Sequence, residues 1–286
     1  MPNLKCFSLC CGSCICDNYE TILPLLYRMI NLEKLGLYIP IRVWGRFFDG
    51  TDLKRIVVSR MRRLNQFTFD IHSHMSIENA MNLPLKKDIQ YTFRDFDDQK
   101  IFSYVDYFPT TGEGQCRIYS ASRTTKFFHG ITNNFPGGFS PYVREVSLHD
   151  KRPFEHDFFL RIIEIFPLME VLYISNHQSQ NHKQSSQSKN DDRNDSVIKY
   201  NALIDIHIAN VHDDYIEEFL LNTRTDFRKN IHLDVDYEAL QRVTKNFTRN
   251  DTRINSAKIN QLHLFHTLQY SNSLEEYFPS AKICCS

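Results

Sequence analysis

Three histidines recur in the last third of the chain, His207, His232 and His263, each set between apolar residues in a short alternating run. In such a run the residue between two apolar positions points to the face opposite to theirs. If the runs are neighbouring strands, about 4.8 Å apart, these side chains form a column and can touch. The same position in similar runs carries Ser8, Gly36, Thr68, Ser147 and Tyr173, with His149, Asp205, Asp234 and Asp236 beside it. Imidazole beside carboxylate can bind a partner, exchange protons or ligate a metal. A zinc site needs three or four ligands at about 2.0 Å in a tetrahedron, and a straight ladder does not converge that way. The column therefore reads as exposed polar positions, as a partner-contacting surface or, against that geometry, as a metal site. The candidate partner-binding set is Tyr38, Asp70, His149, Tyr173, His207, His232, Asp234 and His263, with no residue assigned as a metal ligand. Imidazoles that meet a partner make its affinity change near about pH 6 to 7.

Cysteine is the second chemistry-bearing type. Cys6, Cys10, Cys11, Cys14 and Cys16 crowd the start, Cys116 stands alone, and Cys284 and Cys285 sit near the end. C-x-x-C spacing suits zinc or redox work, but a structural finger supplies a second pair at a distance, and none follows. Free cysteine also behaves as a small buried hydrophobe, which is the plainer reading. For catalysis there is no G-x-S-x-G elbow and no H-E-x-x-H motif. The adjacent carboxylates Glu217-Glu218 and Asp97-Asp98 fall on different helix faces and read as solvated. No catalytic residue is assigned and a non-enzymatic protein is expected.

The elements that must position these residues are visible as repeats. Met1-Pro-Asn-Leu4-x-x-Phe7-x-Leu9, Met29-Ile-Asn-Leu32-x-x-Leu35-x-Leu37 and Met61-Arg-Arg-Leu64-x-x-Phe67-x-Phe69 share one frame. Its apolar part returns as Val143-x-x-Val146-x-Leu148, Met169-x-x-Leu172-x-Ile174, Leu203-x-x-Ile206-x-Ile208, Ile259-x-x-Leu262-x-Leu264 and, degraded, Ile231-x-Leu233-x-Val235. The usual spacing is about 25 to 34 residues, and L-x-x-L-x-L at such a period marks a leucine-rich repeat. Between the phrases lie stretches of helical spacing: Ile22 to Met29, preceded by Asp17 and Glu20 at capping-box spacing, Leu53 to Met61, Phe158 to Phe166 and Tyr215 to Leu220. Strand, helix, strand in constant order predicts parallel pairing through right-handed crossovers. The expected fold is α/β, an irregular leucine-rich-repeat-like solenoid with a concave parallel sheet. A doubly wound sheet also alternates strand and helix, but no Gly-rich phosphate loop occurs.

Two stretches break the repeat. Residues 175–196 carry no apolar side chain and read as a disordered polar loop. Residues 74–138 are rich in aromatics that are out of phrase, with Gln115 to Ser120 as a degraded strand, and read as an irregular core-filling insertion. The expected organisation is one domain over 1–286 with these two interruptions. Lys+Arg and Asp+Glu both number 34, so no net field draws the chain to nucleic acid or anionic lipid. No run approaches the roughly 18 apolar residues of a membrane span and no signal peptide is visible, so an intracellular protein, cytoplasmic or nuclear, is expected. Met1 occupies the first position of a repeat, and because solenoids need capped ends an upstream segment is expected.

Leu32-Glu-Lys-Leu35, Asp106-Tyr-Phe-Pro109, Asn133-Asn-Phe-Pro136, Phe154-Glu-His-Asp-Phe-Phe159, Asp213-Asp-Tyr-Ile-Glu-Glu-Phe219 and Val243-Thr-Lys-Asn-Phe-Thr-Arg249 are spread over nearly the whole chain. In these segments the sequence resembles the leucine-rich-repeat region of a divergent, lineage-expanded group of F-box-like proteins. The resemblance implies the substrate-recognition part of a cullin-type ubiquitin ligase receptor, without a cofactor. The F-box, a helical module of about forty residues that precedes the repeats in that group, is not visible. Docking to the ligase adaptor therefore requires an upstream F-box and is assigned to no residue. A free-standing repeat scaffold or a metal-binding solenoid is the alternative.

Overall fold

The structure is a computed structural model that describes residues 3–11, 22–77, 83–94, 96, 100–121, 125–138, 140–181, 196–228 and 230–286. Cys14, Cys16, Asp17, Glu20, Asp97, Asp98 and most of the polar stretch 175–196 lie outside these residues. The fold is α/β with parallel pairing dominant. Contacts group the chain into two compact units: residues 1–122 with 134–138, and 123–133 with 139–286.

In the first unit, β1 (Cys6–Cys10), β2 (Lys34–Arg42) and β3 (Gln66–Ser76) pair in parallel, with Phe7, Leu35 and Phe67 in register. α1 (Leu23–Tyr27) and α2 (Gly50–Leu53), continued by a π-helical turn over Lys54–Val58, are the crossovers. Asp49 starts α2 with a capping box, its side chain accepting from the Thr51 amide while Asp52 accepts from the Asp49 amide. Leu35, Leu37, Phe69, Leu53, Val57 and Met61 meet in one core.

The aromatic-rich stretch 74–138 is more regular than its composition predicts. β3 runs on to Ser76, α3 (Lys86–Tyr91) follows, and β4 (Ile101–Phe108) and β5 (Glu113–Ser120) form a hairpin. β5 pairs antiparallel with β3 and with β4, giving the order β1-β2-β3-β5-β4. An antiparallel pair closes over a short turn and needs no crossover helix, so the L-x-x-L-x-L spacing is lost here while the sheet continues.

In the second unit, β6 (Phe127–Ile131), β7 (Glu145–His149), β8 (Val171–Asn176), β10 (Asp205–Val211), β12 (Ile231–Asp236), β13 (Ile259–Phe265) and β14 (Lys282–Cys285) form one parallel sheet. β9 (Ile198–Tyr200) and β11 (Thr225–Phe227) pair separately. α4 (His156–Ile165), α5 (Asp213–Leu220), α6 (Tyr237–Val243), α7 (Arg253–Ser256) and α8 (Asn272–Tyr277) complete the unit.

The sheet is sided. Val146, Leu172, Ile206, Leu233 and Leu262 align across neighbouring strands and are buried, while the residues between them are partly exposed. Phe159 of α4 anchors the buried side, its ring 5.7 to 6.4 Å from those of Phe154, Phe158, Tyr215 and Phe219 and steeply inclined to each. The polar stretch also begins later than its composition predicts. Ser175 and Asn176 finish β8, and Asn176 and Gln180 are buried because their amides donate to Arg152 O (2.7 Å) and Phe154 O (2.9 Å). Satisfied amide hydrogen bonds order these residues without apolar burial.

Candidate functional site

The register of the seven-stranded sheet puts Ser147, Tyr173, His207, Asp234, His263 and Cys284 in one row across β7, β8, β10, β12, β13 and β14. The preceding same-face row is Glu145, Val171, Asp205, His232, Gln261 and Lys282. This corrects the histidine column. His232 aligns with Asp205 and Gln261, and Asp234 occupies the place between His207 and His263. The phrase Ile231-x-Leu233-x-Val235 holds two overlapping apolar pairs. Tertiary pairing selects Leu233-x-Val235, with a register irregularity at Ile231/His232.

The consequence is convergence, because three imidazoles surround one carboxylate. His207 Nδ1 is 2.7 Å from Asp234 Oδ2, His232 Nε2 is 3.3 Å from Oδ1, and His263 Nδ1 is 3.6 Å from Oδ1. His232 Nδ1 in turn lies 2.8 Å from Asp205 Oδ1. Asp234 Oδ1 is buried and, among the described residues, has no partner in hydrogen-bond geometry. The Tyr173 ring stacks on His207 at 4.2 Å and 7°, which fixes the plane of that imidazole. Burial, with Glu145, Asp205 and Asp234 nearby, pushes the Tyr173 phenol up, so it stays a neutral donor.

Two further pairs flank the cluster on the same unit. His129 Nε2 lies 3.7 Å from Glu145, and His266 Nδ1 lies 2.8 Å from Asp236. Burial raises the Asp236 carboxyl, but the Ala239 amide and His266 outweigh it and hold it below its ordinary value. Asp236 thereby caps α6. His149 closes β7 in register with Ser175, away from Asp234, and is exposed.

A hollow of about 300 Å³ opens beside the cluster, lined by His232, Gln261, Leu262, His263, Lys282 and Cys284. A larger one, about 650 Å³, lies along α4 between Phe158, Arg161, Glu164 and Ser196 and brings no comparable set of groups together. Among the described residues, no group of three or more His, Cys, Asp or Glu side chains is arranged to hold a metal ion. The cluster offers hydrogen bonds, a stacked aromatic face and proton exchange between imidazole and carboxylate.

Tyr38 and Asp70 fall in the other unit. Tyr38 donates to Thr68 Oγ1 at 3.0 Å. Asp70 takes both arms of Arg117, at 2.7 and 2.5 Å. Burial works against the Arg117 charge, and Asp70 outweighs it, so this pair fastens β5 to β3 and Asp70 is committed to the fold. Beside it His72 Nε2 lies 3.1 Å from Gln115 Oε1 and His74 Nδ1 lies 2.7 Å from Glu113 Oε1. Burial, His74 and Arg117 together hold the His72 imidazole well below its ordinary value.

Residue type and spacing miss two groups. His72 and His74 share the alternation that marks the other histidines, so the signal is present in β3. Glu218, which reads as solvated beside Glu217, is buried against His156 at 2.5 Å, and His156 Nε2 lies 2.8 Å from Ser196 O. Its partner is 62 residues away, which no local pattern reveals.

Comparison with known protein families, curated proteins and solved structures finds no match. Among the described residues, no helix is long and apolar enough to cross a membrane.

Proposed function

We propose that this chain is a non-enzymatic, intracellular protein-binding module of the leucine-rich-repeat type, which meets its partner through the open face of the seven-stranded sheet. Parallel strand–helix units stacked in register, with one side of the inner strands β2, β7, β8, β10, β12 and β13 buried, support the repeat reading. The observation that carries the binding role is the convergence of His207, His232 and His263 on Asp234, with Tyr173 stacked alongside, on a partly exposed face. Aromatic and hydrogen-bonding side chains held rigid by their neighbours are what a binding hot spot requires. The resemblance to F-box-like repeat regions supplies the specific role, the substrate-recognition part of a ubiquitin ligase receptor, with adaptor docking dependent on an upstream F-box.

The test is affinity capture with the tagged chain from cells under proteasome inhibition, comparing wild type with a Tyr173→Ala, His207→Ala, His263→Ala variant. A partner retained by wild type and lost from a variant with unchanged circular dichroism supports the reading. Identical recoveries, or loss of cooperative unfolding in the variant, place those side chains in the fold instead.

A further inference from the structure

The turns that lead into β2 and β3 are built alike. In each, the carbonyl of a buried methionine accepts from the amide three residues on, Met29 from Leu32 and Met61 from Leu64. The amides of Asn65 and Gln66 both donate to Glu33 O, which seats one turn against the other. Arg28 and Arg60 precede the two methionines and Ile30 and Arg62 follow them, so these residues take equivalent places in neighbouring turns, with Arg63 next in the chain. The strands that the turns enter pair in register, about 4.8 Å apart. The Arg60 guanidinium lies over the Tyr27 ring, 4.0 Å from its centroid and beside Arg28 in the chain. An arginine stacked in this way keeps its in-plane N–H donors for a carboxylate.

Arg28, Arg60, Arg62 and Arg63 are all exposed, and among the described residues none has a carboxylate partner. Every described carboxylate of the first unit already has a partner, as Glu33 has Lys5, Asp52 has Arg46 and Asp70 has Arg117. The unpaired charge at this edge is therefore positive. Firm holding of a nucleic-acid backbone rests on about 6 to 10 phosphate contacts, and four arginines on two turns fall short of that track. Ile30, 58% exposed in the same turn as Arg28, adds an apolar contact that a phosphate backbone cannot use.

We propose that this edge of the first unit is a docking surface for an acidic protein segment, an extended run of Asp or Glu followed by an apolar side chain that rests on Ile30. The guanidiniums take the carboxylates in bidentate pairs, for which their planar fork is suited. The surface lies within the first unit, so the inference stands whether or not the seven-stranded sheet binds a partner.

The test titrates the full-length protein into a fluorescein-labelled oligoglutamate peptide ended by leucine, at low salt, and reads fluorescence anisotropy. Binding is expected, and it weakens as salt is raised. Arg62→Glu with Arg63→Glu is expected to weaken it at least about fivefold, the combined effect of two exposed ion pairs. Lys151→Glu with Lys199→Glu makes the same change in net charge at exposed positions of the second unit and should leave the affinity within about twofold of wild type. Ile30→Ser should weaken the leucine-ended peptide and leave plain oligoglutamate unaffected. No saturable binding to wild type, undiminished binding when Arg62 and Arg63 are reversed, or equal losses in the two charge variants overturns the proposal. Tighter binding of a single-stranded oligonucleotide of the same charge also overturns it, since the edge would then be a phosphate site. Arg28→Gln, in the other turn, keeps the experiment decisive if the paired arginine variant misfolds: a loss of about twofold is expected, and an unchanged affinity counts against the site.

Discussion

Replacing His156 by alanine should destabilise the second unit more than any surface substitution. Both partners of the His156–Glu218 pair expose only 2% of their side chains, at a separation of 2.5 Å. The pair ties the first turn of α4 to α5, and the Ser196 carbonyl is held by the other ring nitrogen. Removing one member of a buried pair leaves an uncompensated charge and costs about 3 to 5 kcal/mol. Removing both together, as His156→Leu with Glu218→Met, replaces the pair by apolar volume and should cost far less, because the desolvation penalty disappears with the charges.

Urea denaturation followed by circular dichroism reads the difference. With a denaturant slope of about 2 kcal/mol/M, the single variant moves its midpoint down by roughly 1.5 to 2.5 M. Proton linkage supplies a second readout. Burial opposes the imidazolium, but the hydrogen bond and charge of Glu218 outweigh it and hold the His156 pKa above its ordinary value. The folded chain therefore binds the proton more tightly than the unfolded chain. The contribution is complete below about pH 6.5, declines by at most about 1.4 kcal/mol per pH unit as pH rises to the native value, and is absent above it. The doubly apolar variant should lack that slope. A single-variant cost under about 1 kcal/mol, the range of solvent-exposed pairs, would refute the reasoning.

Other outcomes follow from the same physics. Phe159→Ala removes a fully buried ring and should cost about 3 to 5 kcal/mol by urea denaturation, with far-UV signal retained below the transition. Gly50→Ala puts a methyl 2.4 Å from the Thr92 carbonyl oxygen, so the first unit should lose roughly 1 to 3 kcal/mol, and an unchanged midpoint would show that the backbone yields freely. Arg117→Met strips Asp70 of both guanidinium bonds, and amide exchange in β3 and β5 should accelerate; retained protection would mean that the strands hold without the ion pair.

How far the sequence determines this protein is clearest strand by strand. Alternation is local, so every L-x-L phrase announces which residues of a strand face the core, and helical spacing after Asp213 announces α5. The α/β class and the parallel order follow from those local periods together with crossover length. Gln115 to Ser120 is legible as a strand, yet its antiparallel pairing with β3 is not, since direction is set by the Thr111–Gly112 turn and by long-range hydrogen bonds. The candidate site divides in the same way. Tyr173, His207 and His263 can be placed on one face from alternation alone. Asp234 as the shared acceptor, and His232 one row away, depend on which of two equivalent apolar pairs β12 presents to β10. Only the packed sheet decides that, because shifting a strand by two residues preserves its faces and changes every neighbour. Glu218 and His156 show the same limit: each is an ordinary polar residue in its own helix, and burial of both at once is a property of two helices packed together.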